Sequence, residues 1–443
     1  MDPSPPSPAP LGRRPRGAPC MVGLALLLAG SGPAAAGPPV HIDARSTAKV
    51  CQVLGEFDRQ IGAPTVNATE SQAKFWGADL GTSFEHDGRL FVLFGDTHPV
   101  PGLIERPRDA DSIAVSDTRD PESCLRLDFL KDPDGGFRPL TIPGVYAGAF
   151  AVPTGGFSLN GSMYVLVSSD TPERGPAGRS VLARSDDAGW TFRPLFDLSR
   201  DKLVNVSPVI EPAGRIADLP PHRDAGILLF GTSGYRRSDP HLAFLPAEAV
   251  EDRSALRFFA GADRATNRPR WTADEAEAVP LFNHGCVGEF SAAWNPFLDK
   301  WLLLYTCGAP RASTFLRTAD EPWGPWSPPE VLFDPARDEG RCGFLNPVPV
   351  ATAGRGDCPV VSDPHTPFNP GESYGPYVIN RFTEGERGRW STIYYLMSTW
   401  NPYTVVLMRS TLHVGAEGQA ALAPPPSPPH PPARPQPIQT GRP

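Results

Sequence analysis

The sequence predicts an all-β chain folded as a five-bladed β-propeller of mostly four-stranded antiparallel blades, and three observations predict it. Strand-rich runs ending in small or polar residues recur at 90–95, 163–169, 227–232, 301–306 and 392–398. Each follows a turn and a further short strand, at 80–85, 154–158, 207–211, 289–294 and 377–382, and is followed by another, as at 180–184, 241–246, 313–318 and 405–410. Four-stranded units repeated about an axis are a propeller written in one dimension, and long helical periodicity is absent. The third observation is local: Ser185-Asp186-Asp187-Ala188-Gly189-Trp190-Thr191-Phe192 fits the Ser-x-Asp-x-Gly-x-Thr-aromatic turn known as an Asp-box. Its reading is structural, because the Ser and Asp side chains hydrogen-bond the turn backbone and the aromatic packs underneath. A β-sandwich is the main competitor, but it does not account for five similar hairpins.

Taken in order, residues 1–36 read as a secretory signal: Arg13, Arg14 and Arg16 precede the apolar run 21–29 and the small residues Ala34-Ala35-Ala36. The run is too short for a permanent transmembrane helix, and no lipid-modifiable cysteine follows it, so an exported protein without a membrane anchor is expected. Residues 37–73 form a mixed segment packed on the propeller, with a helix-like patch over 48–61. The propeller occupies 74–413, and the Pro-rich stretch 414–443 has too few apolar side chains to fold.

The 443 residues are 40% hydrophobic, enough for a substantial core. A formal net charge of -8 and the lack of any Lys/Arg run interleaved with aromatics argue against a nucleic-acid partner. A monomer without cofactor is expected. With Cys20 removed in the signal, Cys51, Cys124, Cys286, Cys307, Cys342 and Cys358 remain, an even number suited to disulfides in an oxidising compartment. Cys286 and Cys307 flank one predicted hairpin, Cys342 and Cys358 flank a Gly/Pro-rich loop, and Cys51 is left with Cys124, although sequence alone does not fix connectivity. A zinc site is the alternative, but no Cys-x-x-Cys or helical His pair supports one. The two Ser-Asp-Pro-His tetrapeptides, at 238–241 and 362–365, read as turns.

The stretch 75–98, FWGADLGTSFEHDGRLFVLFGDTH, is a β-hairpin with His86-Asp87-Gly88 as its turn. Asp79 and Asp96 stand at its open end. If they are directly opposed, their Cα atoms lie roughly 5 Å apart and one carboxyl is pushed towards its protonated form. That pair suits acid/base or acid/nucleophile chemistry on an acetal, and a close pair implies retention of configuration. The competing reading makes each aspartate a strand-end cap. Propeller geometry gathers the start of each innermost strand and the end of each second strand on one face. This adds Trp76, Thr154, Asp170, Asn205, Ser207, Glu289, Tyr377, Asn380, Trp400, Asn401 and Tyr403 as candidate sugar-binding groups, with aromatics covering ring faces and polar groups reading hydroxyls. Glu289 is equally a salt-bridged strand terminus, and Tyr374, Tyr377, Trp400 and Tyr403 are equally blade-packing aromatics. No Gly-x-Ser-x-Gly elbow, phosphate-binding loop, dinucleotide fingerprint or His-Glu-x-x-His motif is present.

The segments GADLGTSFEHDGRLFVLFGDTH, SVLARSDDAGWTF, GEFSAAWNPFLDKWLLLYTCG, SYGPYVI and YYLMSTWNPYTVVLMRSTL resemble successive blades of the domain-of-unknown-function family 4185, over about residues 76–412. Its members are five-bladed propellers, some of them endo-D-arabinanases of glycoside hydrolase family 183. The resemblance implies a secreted hydrolase of D-arabinan-like polysaccharides, with Asp79 and Asp96 matching the family's paired catalytic aspartates. A non-catalytic carbohydrate-binding propeller is the rival expectation, and a protein-interaction scaffold the third.

Overall fold

The computed structural model describes residues 37–100, 110–148, 150–170, 178–308, 313–341, 343–345 and 371–415. The signal-like N-terminus, the Pro-rich stretch, Cys342, Cys358 and the tetrapeptide at 362–365 lie outside the described residues.

The described chain opens with strand β1 (Val40–Gln52), the short pair β2 (Phe57–Asp58) and β3 (Ala63–Pro64), and helix α1 (Thr69–Ala73). Blade one is β4 (Gly77–His86), β5 (Arg89–His98), β6 (Ala110–Ser116) and β7 (Asp128–Phe129). Blade two is β8 (Pro153–Leu159), β9 (Ser162–Ser169), β10 (Arg179–Ser185) and β11 (Arg193–Ser199). Blade three has five strands, β12 (Asn205–Pro212), β13 (Ala225–Thr232), β14 (His241–Pro246), β15 (Arg257–Ala262) and β16 (Pro269–Thr272). Blade four is β17 (Phe290–Asn295), β18 (Lys300–Cys307), β19 (Ser313–Ala319) and β20 (Glu330–Phe333). Blade five is β21 (Ser373–Val378), β22 (Glu384–Glu386), β23 (Trp390–Thr399) and β24 (Thr404–Val414).

The expected five-bladed propeller is therefore the observed fold. The segment before it corrects the sequence reading. Instead of a helix-like patch beside the ring, β1 runs to Gln52 and pairs antiparallel with β24, from Val40 opposite Val414 to Gln52 opposite Val406. The first described strand thus forms the outer edge of the last blade. Its alternation is obscured by shifts in register between Asp43 and Ala48 and between Lys49 and Cys51.

Among the described residues, apolar side chains from neighbouring blades fill one cluster at each of the five interfaces rather than one central core. Phe91, Leu93, Met163 and Val165 join blades one and two, and Leu166, Leu182, Ile227 and Leu229 join two and three. Phe230, Phe244, Trp301 and Tyr305 join three and four, Leu302, Leu304, Tyr395 and Met397 join four and five, and Phe75, Phe94, Leu396 and Leu407 close the ring. The Asp-box folds as its composition requires: Ser185 Oγ accepts from Gly189 N at 2.9 Å, Asp187 Oδ1 accepts from Thr191 N at 2.8 Å, and Phe192 is buried.

Cys51 bridges Cys124, tying β1 to the stretch after β6, and Cys286 bridges Cys307 beside the start of β17. His284 lies next to the second bridge, where both sulfurs are committed to each other. Ser238 and Asp239 hold turns, Asp239 Oδ1 accepting from His284 N and Gly285 N at 2.6 Å each.

Inner strands approach closely at Gly155. A Cβ there would lie 2.2 Å from Pro208 Cδ and 2.7 Å from the Val206 carbonyl oxygen, and neither neighbour is able to swing aside. Gly155→Ala is expected to destabilise the protein by about 1–3 kcal/mol through overpacking. A lowered midpoint in denaturant titration checks this, and an unchanged midpoint refutes it.

Candidate active site

The hairpin of blade one carries the first candidate groups, and its register differs from the one expected. Asp79 lies opposite Gly95, while Gly77 lies opposite His98. Asp96 and Thr97 therefore share the place facing Ala78, an inserted-residue bulge that Asp96 accommodates with φ 36. Direct opposition of the aspartates is thus corrected to an offset of one residue, and the premise for a close pair with retention is not met. Gly95 leaves the space that Asp79 needs, since a Cβ at Gly95 would stand 2.9 Å from Asp79 Oδ1.

Asp79 is 8% exposed and accepts a hydrogen bond from the Tyr374 hydroxyl on Oδ2 at 2.8 Å. The Tyr403 hydroxyl donates to the Asp96 carbonyl oxygen at 2.9 Å, and Asp79 Oδ1 has no hydrogen-bond partner among the described residues. Burial pushes the Asp79 carboxyl up to about 7, against the hydrogen bond from Tyr374; the charge of Glu289 adds to the rise, while Tyr403 and Arg236 oppose it. Asp96 accepts from the Phe150 backbone N–H on Oδ1 at 3.1 Å, and its own N–H donates to Asp111 Oδ1 at 3.3 Å.

Across the channel, Arg236 donates to both oxygens of Glu289 at 3.2 Å and to Glu372 at 3.4 Å. Its guanidinium carbon stands 4.8 Å from the centre of the Tyr235 ring and 5.1 Å from that of Tyr374. The site thus joins blade one to Tyr374 of blade five, Arg236 of blade three and Glu289 of blade four. Tyr377 completes the floor: its buried hydroxyl has no partner among the described residues, and burial, with the charges of Glu289 and Asp79, raises its pKa well above the ordinary tyrosine value. Tyr374, Tyr377 and Leu80 form a small apolar cluster on which the partly buried Trp400 packs. The carboxylates of this site are held by arginine, tyrosine and backbone donors.

Of the groups anticipated from sequence, Asp79, Glu289, Tyr377 and Trp400 come together, with Asp96 in the adjoining bulge. Trp76 and Tyr403 are not open sugar plates: their rings stack at 5.8 Å, both are buried, and Tyr403 supports the Asp96 backbone from below. Asn401 has no exposed surface. Thr154 is spent between blades, its hydroxyl accepting from Val206 N at 3.2 Å, and Ser207 likewise accepts from Ala292 N at 3.0 Å. Asp170, which follows β9, is ion-paired with Arg179 at the start of β10 at 2.7 Å. Asn205 begins β12 opposite Thr232, at the channel end where Asp79 also lies. Asn380 is misplaced by the sequence reading: it follows the far end of β21, and its neighbour Arg381 bonds Glu85 and the Gly88 carbonyl at the turn end of the first hairpin. Arg236, Tyr235 and Glu372 were missed. Their signal was their position, since Tyr235-Arg236 follows the end of β13 and Glu372 precedes β21.

A family model described as Domain of unknown function (DUF4185) matches residues 65–409. No curated protein sequence matches the chain. Among solved structures, a Bacteroides ovatus protein is 12% identical with a TM-score of 0.49, over 77% of this chain and 87% of that one. The exo-β-1,3-galactanase of Phanerochaete chrysosporium with galactose is 9% identical with a TM-score of 0.44, covering 82% of this chain and 64% of its own. The catalytic domain of the Coprinopsis cinerea GH62 α-L-arabinofuranosidase is 11% identical with a TM-score of 0.41, covering 84% and 99%.

Proposed function

Starting from the premise that the chain belongs to the DUF4185 family, we propose that it is a secreted glycoside hydrolase cleaving arabinofuranosyl linkages in D-arabinan-like polysaccharides. The observation that carries the hydrolase reading is Asp79, a buried carboxyl bonded by the Tyr374 hydroxyl and pushed up by burial to about 7, in the same hairpin as Asp96. A carboxylic acid kept neutral by burial is the group that protonates a leaving glycosidic oxygen. Asp96, fixed by the Phe150 amide, serves as base or nucleophile. The sugar itself is selected by the family resemblance. Export accords with the Cys51–Cys124 and Cys286–Cys307 bridges, which belong to an oxidising compartment.

The test is a panel of arabinans and other furanosides offered to the wild type and to Asp96→Asn. Cleavage of D-arabinan by the wild type, reduced roughly a hundredfold or more in the variant with glycan binding retained, is the expected result. A wild type that binds the glycans and cleaves none of them makes the protein a carbohydrate-binding propeller.

A further inference from the structure

Seven large apolar side chains stand exposed among the described residues: Phe57, Ile61, Val66, Tyr146, Phe150, Trp190 and Tyr235. Phe57, Ile61 and Val66 belong to the segment between β1 and α1, and Trp190 belongs to the Asp-box, with the Arg138 guanidinium 5.3 Å from its ring. Phe150 and Tyr235 are different, because each is tethered directly to a group of the candidate active site.

Phe150 lies in the connection between β7 and β8, is 38% exposed, and donates its backbone N–H to Asp96 Oδ1 at 3.1 Å. Its φ of 64 places a bulky side chain in the left-handed region. Such a conformation is strained and persists where the surroundings impose it, typically at functional sites. Tyr235 lies in the connection between β13 and β14, is 63% exposed, and is covered on one face by the Arg236 guanidinium that also holds Glu289. The two aromatics come from different blade connections and reach the site by different routes, Phe150 through its bond to Asp96 and Tyr235 through Arg236, which also lies over the Tyr374 ring that bonds Asp79.

We propose that Phe150 and Tyr235 are sugar-stacking platforms that hold the units of a glycan chain on the two sides of the bond cleaved at Asp79 and Asp96. The inference rests on the hydrolase reading for its orientation. An exposed aromatic face is suited to the C–H face of a sugar ring, and a ring whose backbone is bonded to, or next in the chain to, a group of the site positions that sugar at little entropic cost. Backbone tethering also means that truncating the Phe150 side chain leaves the hydrogen bond to Asp96 in place.

The experiment compares Phe150→Ala, Tyr235→Ala and the control Trp190→Ala on arabinan oligosaccharides of increasing length and on a short aryl arabinofuranoside. With platforms, kcat/KM of the first two variants falls at least tenfold on long oligosaccharides and progressively less as the substrate shortens; Phe150→Tyr recovers most of the loss, and Trp190→Ala follows the wild type. An equal loss at every length, or none on the long substrates, overturns the proposal. Binding of the same oligosaccharides to Asp96→Asn, followed by calorimetry, separates the two readings. Length-dependent weakening by Phe150→Ala with no wild-type cleavage keeps the platforms and rejects the hydrolase. Wild-type cleavage insensitive to both platform variants does the reverse.

Discussion

Asp79→Asn is expected to reduce glycan cleavage roughly a thousandfold, within the range that a general acid supplies, and to raise the melting temperature above pH 7 at the same time. The two effects have one cause. In the unfolded chain the carboxyl ionises near its ordinary value of 3.8, whereas in the folded protein burial holds it protonated up to about 7. Between those values the native state binds more protons than the unfolded state, so stability falls as pH rises. The contribution is fully present below about 4 and lost once the pH passes about 7. Asparagine keeps an acceptor for Tyr374 and never ionises, which removes the penalty of a charged buried group. Thermal melts of wild type and variant between pH 4 and 9 check this: the gap in favour of the variant should widen through that window. A gap independent of pH rejects the buried-acid assignment. The same titration predicts that wild-type activity declines as pH rises through about 7, where the proton for the leaving oxygen is lost.

Arg236→Met is expected to have the largest effect on stability. The side chain is 19% exposed, and its removal leaves Glu289 and Glu372, 11% and 20% exposed, without their shared cation. Breaking a buried pair by deleting one partner costs about 3–5 kcal/mol, and the residual solvent access of these three groups places the loss towards the lower end of that range. The cation also holds the Asp79 carboxyl down, so its loss should move the alkaline limb of the rate profile to higher pH. Denaturant melts and a pH profile measure both. A variant as stable as the wild type shows that the two carboxylates are solvated well enough to need no arginine.

The propeller was legible because its signals are local. β-Branched and aromatic runs broken by turn residues such as Asp87-Gly88, both with positive φ, specify hairpins without reference to the rest of the chain. The place of Asp79 at the open end of the first hairpin was legible for the same reason. Its register was not: the bulge at Asp96 and Thr97 depends on a left-handed backbone at Asp96 that no residue type dictates. Arg236 escaped notice because it joins the site from the loop of blade three, and only the closed ring brings it to Glu289 and Tyr374. Strand β1 escaped because its burial follows no period of two, its partner being more than 350 residues away in sequence. Asn380 shows the opposite failure, since the rule that selected it confused the two ends of an innermost strand.

The pairing of β1 with β24 also sets an order of events during synthesis. The ladder from Val40 opposite Val414 to Gln52 opposite Val406 has no template until the C-terminal strand has left the ribosome. Until then residues 40–52 have no partner for this ladder, and the edge of β24, mostly buried in the finished ring, is not yet covered. Closing so long a loop is an entropic and kinetic burden that falls at the very end of folding. An open ring exposes a strand edge fit to pair with another chain, so the interval between translation of the last blade and docking of the first strand is when the molecule is most exposed to misassembly.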